Sequence, residues 1–517
     1  MARVPPPLWY ARGLHAPVPM IPPNPSTVVS RRAFLRRSSA ALGGLAALGP
    51  LHALGLHAAA GEVPPNIRAY GPLVNKGDLW LPAAFNYQIV SRQGDPMSDG
   101  APTPNVFDGM GAFAAPFRSA DGTRPTILIR NHEHREFGGE QKVITGTLEY
   151  DELTNGGNTK LVVERRKTGQ LDPASGQELY EYTVVNSFAI LGGTSTNCAG
   201  GEMPFTKWVT CEETVKRSAN GRKHGYVFEM DAAAEQPVAA VPVLGAGRMV
   251  HEATAWRAGA LYLTEDRGLD GDPRLGTIGS CFYRYRPDQR LCRSGNLGLT
   301  TGVLEALRLK EERHANMDAG RVVGKPHPVK WVTVDEPDHD DDSDNRRDRV
   351  PGFTPTRIQA QDKGAAFFDR LEGIWARGSG RDSKLYFVAT TGGPANLGQV
   401  WEYDVRAESI TLIYESVSAG TLENPDNIVV VPPTNDVFLC EDGGGDQYIR
   451  GLTRRGEIYD FAKTTTNHTE FCGACFDRGG HTLYVNQQGV RGELPNGPAG
   501  AEAVTYAIYG PFGKRRR

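Results

Sequence analysis

Carboxylates stand at the ends of several short runs of β-forming residues in this sequence. The run Trp208–Cys211 stops on Glu212 and Glu213, and a glycine-rich loop that carries Cys198 precedes it. Because glycine lets a backbone crowd around a bound ion, this stretch is suited to presenting metal or phosphate ligands. Taken alone, it also fits a hairpin with solvated glutamates. Comparable runs elsewhere end on Glu133, on Glu265 with Asp266, and on Glu441 with Asp442.

A second group of polar residues precedes the same runs by about one hairpin. If the runs occupy equivalent places, these residues converge with the first group, and like charges at short range raise each other's pKa, so the cluster needs cations. Carboxylate and amide oxygens suit calcium, and one thiolate adds a position for a transition metal such as iron. The pattern therefore predicts a polynuclear metal site. The members of the second group are Cys198, His251 with Glu252, Arg370 with Glu372, Asp426 with Asn427, and Glu470.

Arg370 is the cation of this second group. Its planar guanidinium matches the geometry of a phosphate or a carboxylate, which favours a role in binding a phosphoryl group. The alternative is a structural ion pair with Glu372. The sequence contains neither a serine nucleophile elbow nor a glycine-rich Walker loop, so phosphoryl chemistry here would depend on metal ions.

The β runs recur as six units, each with one run that ends in polar or acidic residues and a later run rich in aromatic residues. This repetition predicts an all-β fold, a six-bladed β-propeller with its binding site in the central channel. A double β-sandwich would also supply many short strands, but it would not explain why the first run of each unit ends alike. The paired runs are 126–133 with 146–151, 207–213 with 225–231, 261–266 with 281–286, 384–390 with 399–404, 436–442 with 456–461, and 481–487 with 503–509.

A helical and acidic insertion is expected around residues 295–355. Residues 301–317 have helical composition and apolar spacing, which predicts one surface helix. Residues 335–348 are rich in aspartate but lack the glycine and the terminal glutamate of an EF-hand loop, so we expect a solvated charged segment there.

The composition and the N-terminal sequence limit the possible classes of protein. The chain has 517 residues and a formal net charge of −3, which is not basic enough to indicate nucleic-acid binding, and its 61 glycines suit a loop-rich β protein. Residues 30–36 form a twin-arginine motif, and the weakly apolar segment after it ends in Ala58–Ala60, a small-residue cleavage site. These features predict export by the twin-arginine machinery, to the periplasm or outside the cell, without a stable membrane span.

The chain therefore divides into three parts. Residues 1–60 are expected to be a disordered N-terminus with the signal peptide, 61–513 a single propeller domain, and 514–517 a basic tail. Seven scattered cysteines, an odd number, do not form a disulfide framework. Cys472 and Cys475 have a redox-type spacing, but packing or an incidental disulfide is the simpler interpretation.

A set of short motifs resembles those of the PhoX-type alkaline phosphatases, exported enzymes on a six-bladed propeller. The set covers most of the chain after the signal, and its cysteine motif with the following Cys-Glu-Glu is specific. One departure from the family pattern is Met203–Trp208, a segment that we expect to flank the cysteine and to influence substrate preference. The matching motifs are Asp108–Met110, Asn131–Glu133, Thr196–Gly201, Thr210–Glu213, Gly247–Ala253, Thr264–Asp266, Arg370–Gly373, Pro425–Asn427 and Glu441–Gly443.

The resemblance implies hydrolysis of small-molecule phosphate monoesters at an iron–calcium cluster, by a monomeric enzyme. It implies that Cys198 is an iron ligand and that Arg370 and Asn131 act on the substrate. Arg370 then binds the equatorial oxygens of the transferred phosphoryl group. The full set of expected metal ligands is Glu133, Cys198, Glu213, Glu252, Glu265, Glu372 and Asp442.

Two other functions remain open on the sequence. A calcium-dependent propeller lactonase or esterase would use the same acids on one calcium ion, but it gives Cys198 no role. A non-enzymatic exported propeller that binds a ligand would not need so many buried acids. Metal analysis separates the three, because they predict iron with calcium, calcium alone, or neither.

Overall fold

The computed structural model describes residues 69–135, 142–272, 276–292, 295–378, 382–465, 467–490 and 501–513. The expected signal peptide in residues 1–60 and the basic tail 514–517 lie outside the described residues. No helix in the described ranges is long and apolar enough to cross a membrane.

Short antiparallel strands make up nearly all of the regular structure. The first half of the chain contains β1 (Leu73–Asn75), β2 (Leu79–Pro82), β3 (Asn86–Arg92), β4 (Phe107–Ala114), β5 (Thr126–His132), β6 (Gly156–Leu171), β7 (Glu178–Thr194), β8 (Asn197–Met203), β9 (Lys207–Glu212), β10 (Val227–Asp231), β11 (His251–Arg257), β12 (Ala260–Glu265), β13 (Asp270–Asp272) and β14 (Gly276–Ile278). Short 3₁₀ turns occupy Gly146–Leu148, Pro204–Thr206 and Leu244–Ala246.

The second half continues the same pattern around one short helix. It contains β15 (Tyr283–Pro287), β16 (Gly302–Leu309), β17 (Pro326–Thr333), helix α1 (Thr356–Asp362), β18 (Leu371–Arg377), β19 (Lys384–Ala389), β20 (Gln399–Asp404), β21 (Ser409–Glu415), β22 (Pro425–Val430), β23 (Val437–Glu441), β24 (Tyr448–Leu452), β25 (Ile458–Thr464), β26 (Phe471–Phe476), β27 (Thr482–Gln487) and β28 (Val504–Tyr509).

These strands form six radial blades, which confirms the predicted propeller. In order, the blades are β4–β7, β8–β10, β11 with β12, β15 and β16, then β18–β21, β22–β25, and β26–β28 with β3. The innermost strands β4, β8, β11, β18, β22 and β26 each contact the next, and β26 contacts β4, so the ring closes. Buried apolar clusters fill the spaces between blades. A closed ring leaves one central channel.

Blade 6 is completed by a strand from the other end of the chain. Strand β3 pairs with β28 from Asn86 opposite Tyr509 to Arg92 opposite Val504. The hairpin of β6 and β7 extends over this seam, where Arg165 lies 3.1 Å from Asp477. A seam between the two ends of a chain removes the exposed strand edges that an open sheet would keep.

The predicted helix at 301–317 is wrong. Residues Gly302–Leu309 form β16, which pairs with β15 and β17. Leu304 and Ala306 pack into one apolar cluster, whereas Leu307 and Leu309 pack into another. A strand buried on both faces is apolar at successive positions, and this composition cannot be told from a helix by pattern alone. Likewise, 146–151 is not the later strand of the first unit, because the strand that follows and pairs with β5 is β6.

The acidic segment 335–348 is exposed at most of its acidic residues, as predicted, but arginines attach it to the rest of the protein. Asp344 is fully buried, and its carboxylate lies 3.0 Å from Nε of Arg267 and 3.3 Å from Nε of Arg357. Asp342 binds the buried Arg248 at 2.7 Å. The segment is therefore fastened to blades 2 and 3 by arginines, a role that leaves its carboxylates occupied.

Candidate metal centre

Each inner strand carries a β-bulge where it enters the channel. The pairing register shifts after Phe107, Asn197, His251, Leu371, Pro425 and Cys472. A bulge turns a side chain away from the regular alternation of a strand, and bulges are common beside active sites. The residues at or beside these bulges hold equivalent places in the six blades, and they are Asp108, Cys198, Glu252, Glu372, Asp426 and Cys472.

The second strand of each blade ends beside the same point. In every blade, the residue that follows this second strand donates its backbone N–H to a carbonyl next to the inner strand. That carbonyl belongs to the residue two positions before the bulge residue of the same blade. The six bonds are Glu133 to Val106, Glu213 to Thr196, Asp266 to Val250, Thr390 to Arg370, Asp442 to Asn424, and Gln488 to Glu470, at 2.9 to 3.2 Å. Each blade thus brings one residue from each of its two inner strands to the same level beside the channel.

Several acceptors in these bonds have strained backbones. Val106, Thr196, Arg370 and Asn424 have φ values of 49°, 51°, 51° and 44°. A left-handed conformation is costly for a β-branched residue such as Val106 or Thr196, and strain of this kind collects at functional sites. The geometry that aims the channel side chains is therefore maintained against a local cost.

Three groups of potential metal ligands lie side by side in the channel. In each group one ligand atom per residue lies within 4.8 Å of the others. The groups share members, because Glu252 belongs to the first and second and Asp426 to the second and third. The groups are Cys198, Glu213 and Glu252; Glu252, Glu372 and Asp426; and Asp426, Asp442 and Glu470.

Glu252 shows most directly that this arrangement fits cations. The residue is fully buried, and neither oxygen of its carboxylate has a hydrogen-bond partner. A buried carboxylate without a partner is expensive, whereas coordination of two cations would satisfy both oxygens. The shared carboxylates Glu252 and Asp426 are placed to bridge neighbouring ions.

Electrostatics in the channel lead to the same conclusion. Burial, followed by the nearby Glu372, raises the pKa of Glu252 well above its usual range. Burial and Asp442 raise the pKa of Asp426 to about 7, and burial with Asp108 raises the pKa of the Cys198 thiol. In the absence of cations these groups cannot all be ionised together, so cations are needed for them to act as ligands.

Arg370 lies at the edge of the cluster, where two acids hold its guanidinium group. Nε and Nη2 donate to Asp266 at 2.8 and 2.9 Å, and Nη2 also donates to Glu372 at 2.7 Å. Both interpretations of the sequence thus apply, because the ion pair with Glu372 exists and the guanidinium lines the cavity. The cavity has a volume of about 270 Å³, which has room for a phosphoryl group.

Most of the predicted ligands meet in this channel. Among the described residues, the structure brings together Glu133, Cys198, Glu213, Glu252, Glu372 and Asp442. Glu265 is not among them. Its carboxylate faces the interior of blade 3, where it accepts from the N–H of Cys281 at 3.0 Å and from the hydroxyl of Tyr283 at 2.9 Å. Asp266, one position further on, faces the channel instead.

Asn131 also lies outside the cavity. Its Nδ2 donates to the carbonyls of Cys198 at 3.0 Å and Ala199 at 2.7 Å, and its oxygen accepts from Trp208 at 3.1 Å. Every polar atom of the side chain is thereby engaged with protein. Asn131 supports the loop that carries Cys198 rather than meeting a substrate.

Five further residues reach the centre that were not among the expected ligands. Asp426 and Glu470 complete metal groups, Asp266 holds Arg370, and Gln488 donates to Asp108 at 3.1 Å and Glu133 at 2.9 Å. The sequence contains a signal for most of them, because Asp108, Asp266, Asp426 and Glu470 lie in the motifs or polar groups described in the sequence analysis. Only the bulge geometry shows which member of a pair faces the channel.

The departure at Met203–Trp208 lies far from Cys198. Residues Pro204–Thr206 form the turn that joins β8 to β9, and Met203 pairs with Lys207. Cys198 is at the opposite end of β8, about 16 Å away at 3.3 Å per residue. The expectation that this segment flanks the cysteine is therefore wrong, and the substitution does not reach the cavity.

The fold and the site define a six-bladed propeller with a candidate polynuclear metal centre in its channel. The family model of alkaline phosphatase PhoX matches residues 68–490, and the chain belongs to this family of phosphate-monoester hydrolases.

Comparison with solved structures is consistent with the fold. The chain is similar to Pseudomonas fluorescens PhoX in complex with vanadate, a transition state analogue, with a TM-score of 0.59, 17% identity, and coverage of 87% of this chain and 98% of that chain. A putative 6-phosphogluconolactonase from Bacteroides uniformis has a TM-score of 0.28 and 9% identity over 70% of this chain and 84% of that one, a likeness too weak to bear on function. No match to a curated protein sequence was found.

Proposed function

We propose that the protein hydrolyses small phosphate monoesters at an iron–calcium centre in the propeller channel. The observation that carries this proposal is the contiguity of the three ligand groups, which are joined through Glu252 and Asp426. A single-calcium lactonase site would not require a chain of shared carboxylates or a thiol within it.

The identity of each metal follows from the donor atoms. The group of Cys198, Glu213 and Glu252 contains sulfur and suits iron, because a thiolate is a soft ligand. The other two groups offer only carboxylate oxygens and suit calcium. Cations held by these residues would neutralise the phosphoryl oxygens and would supply an activated nucleophile for phosphoryl transfer.

Arg370 orients the phosphoryl group in this proposal. Its Nε and Nη2 are bound by Asp266 and Glu372, which fixes the plane of the guanidinium and leaves Nη1 to donate to an equatorial oxygen. Asp266 then acts through Arg370 by holding its orientation. Asn131 contributes by fixing the backbone at Cys198.

Metal analysis of the purified protein tests the proposal, together with hydrolysis of an aryl phosphate. We expect iron and calcium in the protein and phosphatase activity that is lost after chelation. Calcium without iron, with activity on a lactone or carboxyl ester, would support a lactonase or esterase. Protein that binds neither metal would support a non-enzymatic ligand-binding propeller.

We also propose that the enzyme is exported as a folded monomer by the twin-arginine machinery and acts in the periplasm or outside the cell. The support is the motif with Arg31 and Arg32 in the sequence. The pathway accepts folded proteins, so a metal centre assembled in the cytoplasm can be transported intact. Replacing both arginines by lysine should retain the protein in the cytoplasm, as measured by cell fractionation, and unchanged export would contradict this route.

A further inference from the structure

We propose that Glu212 and Glu441, the first acids of two acidic pairs, are positioning residues that each hold the backbone of one metal-binding side chain. The second acid of each pair, Glu213 or Asp442, faces the channel. The first acid of each pair thus fixes the backbone, and the second acid supplies a ligand. This inference rests on the proposed metal centre but not on its catalytic activity.

In blade 2, Glu212 holds the segment that leads to Cys198. Its Oε1 accepts from the N–H of Ser195 at 2.9 Å and from Nδ1 of His224 at 2.6 Å. Its Oε2 accepts from the N–H groups of Gly225 at 2.9 Å and Tyr226 at 3.2 Å. Glu212 is fully buried. One carboxylate therefore ties the backbone three residues before Cys198 to the next strand of the blade.

In blade 5, Glu441 does the same for Asp426. Its Oε1 accepts from the N–H of Glu423 at 2.9 Å and from Nε of Arg450 at 2.8 Å. Glu423 is three residues before Asp426, as Ser195 is three residues before Cys198. Two different blades thus make the same bond at the same place. This repetition shows that the bond belongs to the presentation of the ligand rather than to local packing alone.

Blade 3 supplies a natural comparison. Glu265 occupies the equivalent place and is also buried, but it accepts only from Cys281 and Tyr283. Met249, three residues before Glu252, donates its N–H to the carbonyl of Gly225 instead. Glu265 is therefore a buried acid at the place equivalent to Glu212, but its carboxylate bonds reach Cys281 and Tyr283 rather than the segment that presents Glu252.

The consequence for metal binding follows from orientation. A ligand whose backbone is free to move loses affinity, and removal of an outer contact of this kind costs about 10-fold to 100-fold. Glutamine at 212 keeps the shape but cannot accept all four hydrogen bonds with one oxygen. His224 keeps its contact with Asp151 at 3.3 Å in that variant, and Arg450 keeps Asp460 in the variant at 441.

The experiment compares whole folded proteins: Glu212→Gln with the matched control Glu265→Gln, and Glu441→Met with the matched control Glu265→Met. Methionine is used at 441 because both bonds there go to one oxygen, which a glutamine would retain. Metal-free protein is titrated with Co²⁺, and binding is measured by the cobalt–thiolate charge-transfer absorption. A separate titration with Ca²⁺ is measured by calorimetry. Alkylation of Cys198 in metal-free protein is followed by mass spectrometry. Glu212→Gln should weaken the cobalt–thiolate signal about 10-fold or more and speed alkylation of Cys198. Glu441→Met, which removes the acceptor for the N–H of Glu423, should weaken Ca²⁺ binding by a similar factor and leave the cobalt signal unchanged.

Glu265→Gln should change neither affinity by more than about twofold, because it keeps the ligand backbones intact. Equal losses in Glu212→Gln and Glu265→Gln would overturn the inference, since the effect would then be general destabilisation. If Glu212→Gln does not fold, Glu441→Met against Glu265→Met, which leaves the ligand backbones intact, decides the question by the Ca²⁺ titration. Wild-type protein that binds neither metal would instead overturn the proposed centre, so the two failures are distinct.

Discussion

At the scale of single residues, the channel combines one soft donor with many hard ones. Cys198 is 7% exposed and lies among carboxylates that raise the pKa of its thiol. A thiol in such acidic surroundings would remain protonated without a cation beside it. The same residue would be inert packing if no metal were bound, so its behaviour distinguishes the two cases.

The first prediction concerns Cys198→Ser. A serine oxygen is a poorer ligand for iron than a thiolate, so the variant should lose iron and its phosphatase activity while it keeps calcium and the fold. Elemental analysis, aryl phosphate hydrolysis and circular dichroism measure the three properties. A variant that retains both iron and activity would refute the assignment of Cys198.

The second prediction concerns the fork of Arg370. Lysine keeps the charge but cannot make the paired bonds to Asp266, so Arg370→Lys should lower kcat by about 100-fold, the range for loss of one preorganised donor. The control is Arg286→Lys, which removes a similar fork to Glu305, with bonds of 2.7 and 3.0 Å, on the outer part of blade 3. Steady-state kinetics should show little change in the control, and an equal loss in both variants would contradict the role.

At the scale of elements, the outer framework of the blades was predictable and the inner strands were not. Runs such as Lys384–Ala389 and Thr482–Gln487 are rich in β-branched and aromatic residues and were placed correctly. Inner strands such as Asn197–Met203 contain bulges and glycines that interrupt the alternation. Gly200 is required there because a Cβ would come within 2.2 Å of the carbonyl of Val209. Close packing around the channel thus removes the sequence signal of the strands that line it.

The predicted site failed at Glu265 for a related reason. Successive residues of a strand face opposite sides, so an error of one position moves a carboxylate from the channel to the blade interior. The acids at 212–213, 265–266 and 441–442 read alike in sequence. Which acid of each pair faces the channel, and which faces the blade interior, is determined only when the partner strand and the bulge are in place.

The third prediction concerns the acidic segment. Asp344 has a φ of 54°, which asparagine tolerates, so Asp344→Asn removes the charge and retains the conformation. It leaves Arg267 and Arg357 without their buried carboxylate and should reduce the free energy of unfolding by about 3 kcal/mol. Urea denaturation measures the change. Asp348→Asn, in an exposed pair with Arg346, should leave the free energy of unfolding nearly unchanged, and similar losses in the two variants would contradict the buried role of Asp344.

At the scale of the whole molecule, the channel couples protons and metals to folding. Burial and neighbouring acids raise the pKa values of Glu213, Glu252, Glu372 and Glu470 in the metal-free protein. The folded state therefore binds more protons than the unfolded state above the ordinary glutamate pKa of about 4.3. Stability falls with pH wherever the native state holds the excess of protons.

The fourth prediction follows from this sign. The melting temperature of metal-free protein should fall as the pH rises from about 5 to 8, through the pKa of about 7 of Asp426. Protein saturated with calcium and iron should not show this loss, because the cations stabilise the ionised carboxylates. Differential scanning calorimetry at several pH values tests both. A metal-free protein that becomes more stable over this range would contradict the clustering of acids.

The fifth prediction concerns chelation at constant pH. A ligand that binds only the folded state adds about 2.7 kcal/mol at a hundredfold excess over its Kd, so removal of calcium should lower the melting temperature as well as stop turnover. Readdition of Ca²⁺ should restore both. An unchanged melting temperature after exhaustive chelation would count against a centre that joins the blades.

The seam in blade 6 sets the order in which the molecule matures. Strand β28 cannot receive β3 until almost the entire described chain has been synthesised, and contacts between such distant residues form slowly. Gln488, which follows β27 in blade 6, donates to Asp108 and Glu133 of blade 1, so these contacts form only after the first and last blades have met. Cations bound in the proposed centre would then stabilise a ring that has already closed, and their binding free energy would oppose its reopening. The proposed centre would therefore stabilise the fold at a late step of folding. An export route that accepts folded proteins would carry the protein after this step.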